Sequence, residues 1–299
     1  NVSKVSGDES IDSILSMVEN PIIDFSNLLN GNSNDTKLLF ADIDEYLDYV
    51  ENNKREMIGI SSGYPIYDMA IGGGFRRKTV NLIGARLKTG KSQYAINSGL
   101  FVSKKLNIPV LYLDTEMGQE DHINRTLANL SCIPINEIEC GKYPKDKVRS
   151  AAKELKNIPF YYRNIAGAKF EEIISHIRRW VLQVVGKNEN GDTNDCLIIY
   201  DYIKLMDSES LSSSLQEYQA LGFQMTTLTN FAIKYNLPIL SFIQLNRDGI
   251  NSESTASASG SDRLLWFCSN FSIYKRKSDD ELQADGLENG TYKLVPIVC

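Results

Sequence analysis

A buried strand that runs into a phosphate-binding turn and then a helix constrains this chain more than any other feature. A predicted strand at 79–83 precedes a glycine- and lysine-containing turn, and a helical pattern follows at 92–105. Consecutive backbone N–H groups at a helix N-terminus bind phosphate, a lysine reaches the β- and γ-phosphates, and a hydroxyl binds Mg²⁺. We therefore predict an ATP site whose phosphate-binding residues are Ala85, Arg86, Leu87, Lys88, Thr89, Gly90, Lys91 and Ser92.

The turn departs from the usual pattern at its first position. Ala85 stands where a glycine is usual, and Gly84 lies one residue earlier. Alanine fits this position if its backbone φ angle is negative, because positive φ is the region that favours glycine. We expect Lys91 to act on the phosphates in catalysis and the Ser92 hydroxyl to bind Mg²⁺.

Strand and helix patterns alternate from about position 58 onward. Strands are predicted at 79–83, 110–113, 160–162, 196–200, 239–243, 271–274 and 292–298. Helices are predicted at 92–105, 119–130, 145–156, 170–185 and 216–235. This alternation predicts an α/β fold of right-handed βαβ units, with a mostly parallel central sheet flanked by helices. We expect the strand at 110–113 to lie beside the strand at 79–83.

The first part of the chain has a different character. Residues 1–35 are rich in Ser, Asn and Asp and read as a polar linker, with one short helix near 11–18. Apolar residues at helical spacing predict an amphipathic helix at 36–54. It packs either on its own domain or on a neighbouring subunit. We therefore divide the chain into a linker region, 1–55, and a main domain, 56–299.

Polar residues at the ends of three predicted strands are candidates for catalysis. Asp201 follows an apolar strand and is expected to order Mg²⁺. Glu116 is positioned to deprotonate a water molecule, with Asp114 as the second candidate, although Glu116 could instead cap the next helix or pair with Arg125. Gln244 can hydrogen-bond a γ-phosphate. Loss of that phosphate on hydrolysis could then affect the loop at 248–262. The alternative interpretation of Gln244 is a plain polar strand end.

Composition excludes several classes of protein. The five cysteines are scattered and form no CxxC pair, which argues against a zinc site and a disulfide framework. No run of eighteen apolar residues occurs, so no membrane span is expected. The net charge of −6 argues against a monomer that coats nucleic acid through bulk electrostatics, and leaves open a channel lined by a few cations from each subunit.

In their order and spacing these motifs resemble the motor domain of DnaB-type replicative helicases. The resemblance covers about residues 56–299 and is similar in particular to the phage members, hexameric helicases that work with a primase. The Ala at position 85 is itself similar to what that family often carries. The matching residues are Gly63-Tyr64-Pro65, Asp68, Gly72-Gly73-Gly74, residues 85–92, Asp114-Thr115-Glu116-Met117, Asp201-Tyr202-Ile203-Lys204-Leu205-Met206 and Gln244-Leu245-Asn246-Arg247.

The resemblance implies a RecA-like P-loop ATPase fold preceded by a linker helix. It implies a cytoplasmic protein of a bacterial cell, encoded by the cell or by a phage, that moves along single-stranded DNA as a homo-hexamer. ATP and Mg²⁺ would be its cofactors and a primase its partner. The helix at 36–54 would pack on the next subunit, and the polar loops at 207–215 and 248–262 would face the channel.

The resemblance also implies roles for individual residues. Glu116 would be the general base, Lys91 and Ser92 would bind phosphate and Mg²⁺, and Gln244 would sense the γ-phosphate. Asp201 would bind Mg²⁺. Arg125 would be a structural or coupling residue. The family's trans-acting arginine finger follows the last strand, so we expect it beyond position 299 and expect residues 1–299 alone to hydrolyse ATP poorly.

Two other functions share most of these motifs. A RecA- or RadA-like recombinase would form open filaments on DNA and should carry more basic loops. A KaiC-like regulatory ATPase would bind no nucleic acid. The densest basic run, residues 275–277, reads as a solvated strand end rather than a DNA contact.

Overall fold

Strand β1 (Val80–Ala85) is buried along its whole length inside a seven-stranded sheet. The computed structural model describes residues 38–52, 54, 57–189, 191–203, 214–245 and 268–298, with backbone alone for 214–219. The other strands are β2 (Val110–Asp114), β3 (Phe160–Asn164), β4 (Leu197–Asp201), β5 (Ile239–Gln244), β6 (Asn270–Arg276) and β7 (Tyr292–Val298). The helices are α1 (Ile43–Asn52), α2 (Pro65–Ala70), α3 (Lys91–Lys105), α4 (Gln119–Ser131), α5 (Ile135–Glu139), α6 (Lys145–Leu155), α7 (Phe170–Trp180), α8 (Ser214–Tyr235) and α9 (Asp279–Asp285).

The strand order is β3-β2-β4-β5-β1-β6-β7, and all neighbouring strands are parallel except β6 and β7. Parallel strands covered on both faces are almost wholly apolar, and every residue of β1, β2 and β4 is buried. The predicted α/β class, with a mostly parallel sheet flanked by helices, is confirmed.

The expectation that β2 lies beside β1 is wrong. Strands β4 and β5 lie between them. Helix α3, which connects β1 to β2, packs across β2, β3 and β4, so β2 enters the sheet away from β1 and the later strands β4 and β5 fill the gap. The carboxyl end of β2 therefore meets β4, where Asp114 is the sheet partner of Asp201. The Thr115 N–H donates to the Asp201 carbonyl oxygen at 3.0 Å. Two strand ends expected to act together are thus joined directly.

Hydrophobic layers cover both faces of the sheet. One face packs against α2 and α3, and the other against α7 and α8. A smaller cluster lies among α4, α5 and α6, around Ile133, Ile138 and Val148. The two layers fix the carboxyl ends of β1, β2, β4 and β5 along one edge of the sheet, which is where ligands bind in folds of this kind.

Each predicted strand is present, and so are the five predicted helices of the main domain, with shifted ends. The helix predicted at 170–185 is α-helical to Trp180 and continues as a π-helical turn, Val181–Val185. Helices α2, α5 and α9 were not predicted, nor was the 3₁₀ turn Leu287–Asn289. The sequence does carry a signal for α9, since Ser278 and Glu281 form a capping box with hydrogen bonds of 3.2 and 2.8 Å.

Helix α1 begins later than the predicted 36–54, because residues 39–42 form turns instead. None of its side chains is buried, and Ile43, Leu47 and Val50 are between 45% and 49% exposed. The helix therefore adds nothing to the core of its own domain. The helix predicted near 11–18 lies outside the described residues. Within the described ranges, no helix combines the length and apolarity that a membrane span requires.

Candidate nucleotide-binding and catalytic site

The turn at 85–92 that is predicted to bind phosphate lies between β1 and α3, as its sequence predicts. Gly90 is the N-cap of α3 with a left-handed φ of 93°, and a Cβ added there would meet no atom within 4 Å. The glycine is therefore needed for its backbone conformation, and the space above it is open to a phosphate. Ala85 ends β1 and is not among the described residues with positive φ, so alanine is unstrained at this position.

Lys91 begins α3 and is 9% exposed. Burial lowers the pKa of its amine, and the negative charges of Asp201 and Glu116 act in the opposite direction. Its Nζ atom lies 4.2 Å from the ring centroid of Tyr202, a cation–π contact. The amine is thus held between two carboxylates and an aromatic ring, next to the turn.

Ser92 and Asp201 meet at the same edge. The Asp201 carboxylate accepts hydrogen bonds from the Ser92 hydroxyl and from Tyr112, whose Oη lies 2.5 Å from Oδ2. Burial raises the pKa of Asp201, and these two hydrogen bonds oppose the rise. A hydroxyl and a carboxylate are oxygen ligands that suit Mg²⁺, so the donor set fits the predicted metal.

Glu116 lies in the turn that follows β2. Its backbone N–H and that of Met117 donate to Asp114 Oδ1 at 2.7 and 2.9 Å. The Met117 carbonyl accepts hydrogen bonds from Tyr162 Oη at 2.7 Å and Asn164 Nδ2 at 3.1 Å. The turn is therefore fixed on both sides, while the Glu116 side chain is exposed.

The Glu116 carboxylate lies close enough to Lys91, in the predicted phosphate-binding turn, to interact with its charge. It accepts a hydrogen bond from the Tyr202 hydroxyl, and burial together with this bond raises the pKa of Tyr202 to about 12. The two alternative interpretations of Glu116 find no support. Gly118 is the N-cap of α4, where Asp121 Oδ2 accepts its N–H at 3.0 Å. Among the described residues, no ion pair joins Glu116 to Arg125.

Gln244 ends β5 beside the start of the phosphate-binding turn. It is the sheet partner of Ala85, and the next residue, Leu245, donates its N–H to the Ala85 carbonyl oxygen at 2.9 Å. The Gln244 side chain is exposed at the sheet edge. Its position therefore allows contact with a γ-phosphate, whereas the loop that it was predicted to signal to, 248–262, lies outside the described residues.

A family comparison separates the classes of P-loop ATPase that share this geometry. The DnaB-like helicase C-terminal domain model matches residues 59–258, which hold β1 to β5 and all the candidate residues. The chain belongs to this family. The DnaB-like chain is also 26% identical over 244 residues to the probable replicative DNA helicase of Trieres chinensis, covering 80% of this chain and 51% of that protein. It thus spans about half the length of the helicase.

Two solved structures share the fold of this DnaB-like chain. One is an isolated ATPase domain, which superposes with a TM-score of 0.71 at 17% identity, covering 88% of this chain and 92% of that one. The other is a DnaB-like replicative helicase, whose structure was described together with its interactions with primase. It gives a TM-score of 0.68 at 16% identity, covering 94% of this chain and 67% of that one. The predicted RecA-like ATPase fold is confirmed.

Three residues of the DnaB-like site were not found from the sequence. Tyr112 donates a hydrogen bond to Asp201, and Tyr202 donates one to Glu116. His122 contacts Asp114. The tyrosines occur within or next to apolar strands, where an aromatic residue ordinarily indicates core packing. Only the strand order shows that they point at the strand-end acids.

The predicted DNA-facing segments are incompletely described. Residues 204–213 and 246–267, which hold most of both polar loops, lie outside the described residues. The basic run at 275–277 is a strand end, but Lys277 is not solvated: its side chain is 8% exposed and its Nζ lies 2.9 Å from Asp285. This lysine is engaged within its own domain.

Proposed function

We propose that this DnaB-like chain is the motor domain of an ATP-dependent replicative DNA helicase that translocates on single-stranded DNA as a hexameric ring. The observation that carries the proposal is the convergence of Lys91, Ser92, Asp201 and Glu116 at one sheet edge. Membership of the family supports the coupling of this site to DNA. We assign residues 1–55 to the linker and 56–299 to the motor domain.

The phosphate-binding turn would hold ATP. Residues 85–92 present backbone N–H groups at the N-terminus of α3, and Lys91 would contact the β- and γ-phosphates. Ser92 and Asp201 would hold Mg²⁺, which when bound neutralises negative charge on the phosphates. Because Lys91 is buried, its charge acts on the phosphates with little screening by water.

Glu116 is the general base of this proposal. Its carboxylate is exposed beside Lys91 and can accept a proton from a water molecule that attacks the γ-phosphate. Asp114 is the weaker candidate, because both of its oxygens are engaged by donors of the chain itself. Gln244, at the end of β5, would hydrogen-bond the γ-phosphate and lose that bond after hydrolysis.

The assembly of the ring is also a proposal. The exposed apolar side chains of α1 would pack on the neighbouring subunit, which would bury a face that its own domain leaves open. The solved helicase at 16% identity was described with its interactions with primase, and a primase is the partner that we propose here. Mg²⁺-dependent ATP turnover would then move the ring in the cytoplasm of a bacterial cell.

The experiment that tests this function measures ATP hydrolysis by the full-length protein with and without single-stranded DNA, together with electron microscopy of the assembly. We expect Mg²⁺-dependent hydrolysis stimulated by single-stranded DNA, and closed six-fold rings. Open filaments on DNA would instead support a recombinase. ATP hydrolysis without any ATP-dependent DNA binding would support a regulatory ATPase. No described feature favours either alternative.

A further inference from the structure

A buried acid–histidine pair lies directly behind the turn that carries Glu116. Asp114, the last residue of β2, is 2% exposed, and His122, in the first turns of α4, is 9% exposed. His122 Nε2 contacts Asp114 Oδ2. Since a carboxylate can only accept hydrogen bonds, Nε2 carries the proton and the imidazole is the donor.

Asp114 is therefore held from two directions. Its Oδ1 accepts the N–H groups of Glu116 and Met117, and its Oδ2 accepts the His122 proton. A buried carboxylate oxygen without a donor is strongly destabilising and tends to rotate towards water. His122 removes that tendency, so that Oδ1 stays directed at the two N–H groups of the Glu116 turn.

Packing fixes the imidazole ring in turn. It lies edge-on to the ring of Tyr112 at 4.9 Å and tilted against the ring of Tyr162 at 5.4 Å. Its other nitrogen, Nδ1, is buried and has no hydrogen-bond partner among the described residues. The cavity that it lines also includes the apolar side chains of Ile96, Ile123 and Phe160. The hydrogen bond to Asp114 is thus what a histidine adds at this position.

We propose that His122 is a positioning residue that acts through Asp114 to fix the backbone of Glu116. The proposal rests on the proposed function, in which Glu116 is the general base. The Glu116 side chain is exposed and accepts a hydrogen bond from Tyr202, and the place of its carboxylate relative to an attacking water also depends on where its backbone is held. Displacement of a catalytic group by about 1 Å can lower a rate about 100-fold.

The test compares substitutions at His122 in the full-length protein. His122→Leu keeps an apolar side chain and removes the donor, whereas His122→Gln places an N–H near the position of Nε2. His176→Leu is the control, because His176 is the chain's other histidine and contacts Arg163 rather than Asp114. Each variant is measured for kcat, for the dissociation constant of an ATP analogue and for hydrogen exchange at the Glu116 and Met117 amides.

For His122→Leu we expect kcat to fall about 10- to 100-fold while the dissociation constant changes by less than about twofold. We expect both amides to exchange about tenfold faster, because Asp114 without the His122 donor is no longer held with Oδ1 directed at them. His122→Gln should restore most of both properties, and His176→Leu should change neither. Equal kcat losses in the leucine and glutamine variants would overturn the proposal. Unchanged amide exchange in His122→Leu would overturn it as well.

Amide exchange at Glu116 and Met117 tests the positioning role of His122 independently of ATP hydrolysis. If the wild-type protein hydrolysed no ATP but the two amides still lost protection in His122→Leu, the helicase proposal would fail and the positioning of the turn would stand. If His122→Leu did not fold, Asp114→Asn supplies the same comparison, since its amide group is a weaker acceptor of similar shape. Unchanged amide exchange in that variant would overturn the inference.

Discussion

Tyr112 donates its hydroxyl proton to Asp201 across 2.5 Å between Oη and Oδ2, from one strand of the sheet to the next. The phenol is buried, and its pKa lies well above the ordinary value because of burial and the nearby Asp201 charge. It therefore stays protonated and remains a donor. This bond fixes the orientation of the carboxylate that we assign to Mg²⁺.

Tyr112→Phe should weaken the dependence of ATPase activity on Mg²⁺. Loss of a group that orients a metal ligand typically lowers metal affinity about 10- to 100-fold, and we expect the lower end of that range here. The measurement is a Mg²⁺ titration of ATP hydrolysis by the full-length protein. Tyr200→Phe is the control, because the Tyr200 hydroxyl is buried without a hydrogen-bond partner among the described residues. An unchanged Mg²⁺ midpoint in Tyr112→Phe would refute the orienting role.

Asp201→Asn should raise the melting temperature of the protein at pH 7 in the absence of nucleotide and Mg²⁺. Burial raises the folded-state pKa of Asp201 above its ordinary value of 3.8. The protonated carboxyl of Asp201 therefore contributes stability at low pH, and this stability is lost as the pH rises through the folded-state pKa. The difference in melting temperature between Asp201→Asn and the wild type should become smaller as the pH falls towards 3.8. Calorimetry between these pH values measures it, with exposed Asp44→Asn as the control. A lower melting temperature at pH 7 would contradict the prediction.

Lys91→Ala should abolish ATP binding or hydrolysis and leave the fold intact. The amine is the cation at the start of α3, and its removal leaves the phosphates without a lysine contact. Lys105→Ala, at the exposed end of the same helix, should behave as wild type. Nucleotide binding and circular dichroism distinguish loss of function from loss of structure. ATP turnover by Lys91→Ala at the wild-type rate would show that another group neutralises the phosphates.

Gln244→Ala should bind ATP normally and lose the stimulation of hydrolysis by single-stranded DNA. Gln244 is the sheet partner of Ala85 and is followed by the segment predicted to meet DNA. The measurement is ATP hydrolysis as a function of DNA concentration. Gln183→Ala, an exposed glutamine in the π-helical turn after α7, is the control. Full DNA stimulation of Gln244→Ala would favour the interpretation of a plain polar strand end.

The strands and the acids at their ends could be predicted from the sequence because both depend on local patterns. Apolar runs such as 197–200 indicate buried strands, and the polar residue that ends each run must emerge at the sheet edge. The turn at 85–92 is recognisable for the same reason. Its alanine proved compatible with the backbone, as the sequence required.

The remainder of the site depends on which strands become neighbours. Nothing in the hydrophobic pattern of 110–114 shows that β4 lies beside it instead of β1. The bond from Tyr112 to Asp201 follows from that order, whereas the contact of His122 with Asp114 follows from the direction in which α4 leaves the turn after β2. The Tyr112–Asp201 bond joins residues 89 positions apart, and single-sequence patterns do not encode non-local partnerships of this kind.

Unwinding of a forked DNA duplex by the full-length protein and by its Glu116→Gln variant tests the proposed helicase function most directly. The variant keeps the size and hydrogen-bonding capacity of the side chain but cannot take a proton from water. We predict ATP- and Mg²⁺-dependent unwinding by the wild type, and a variant that binds ATP with wild-type affinity but neither hydrolyses it nor unwinds DNA. Exposed Glu120→Gln, on α4, should unwind normally. Unwinding by Glu116→Gln at the wild-type rate, or none by the wild type, would contradict the central claim.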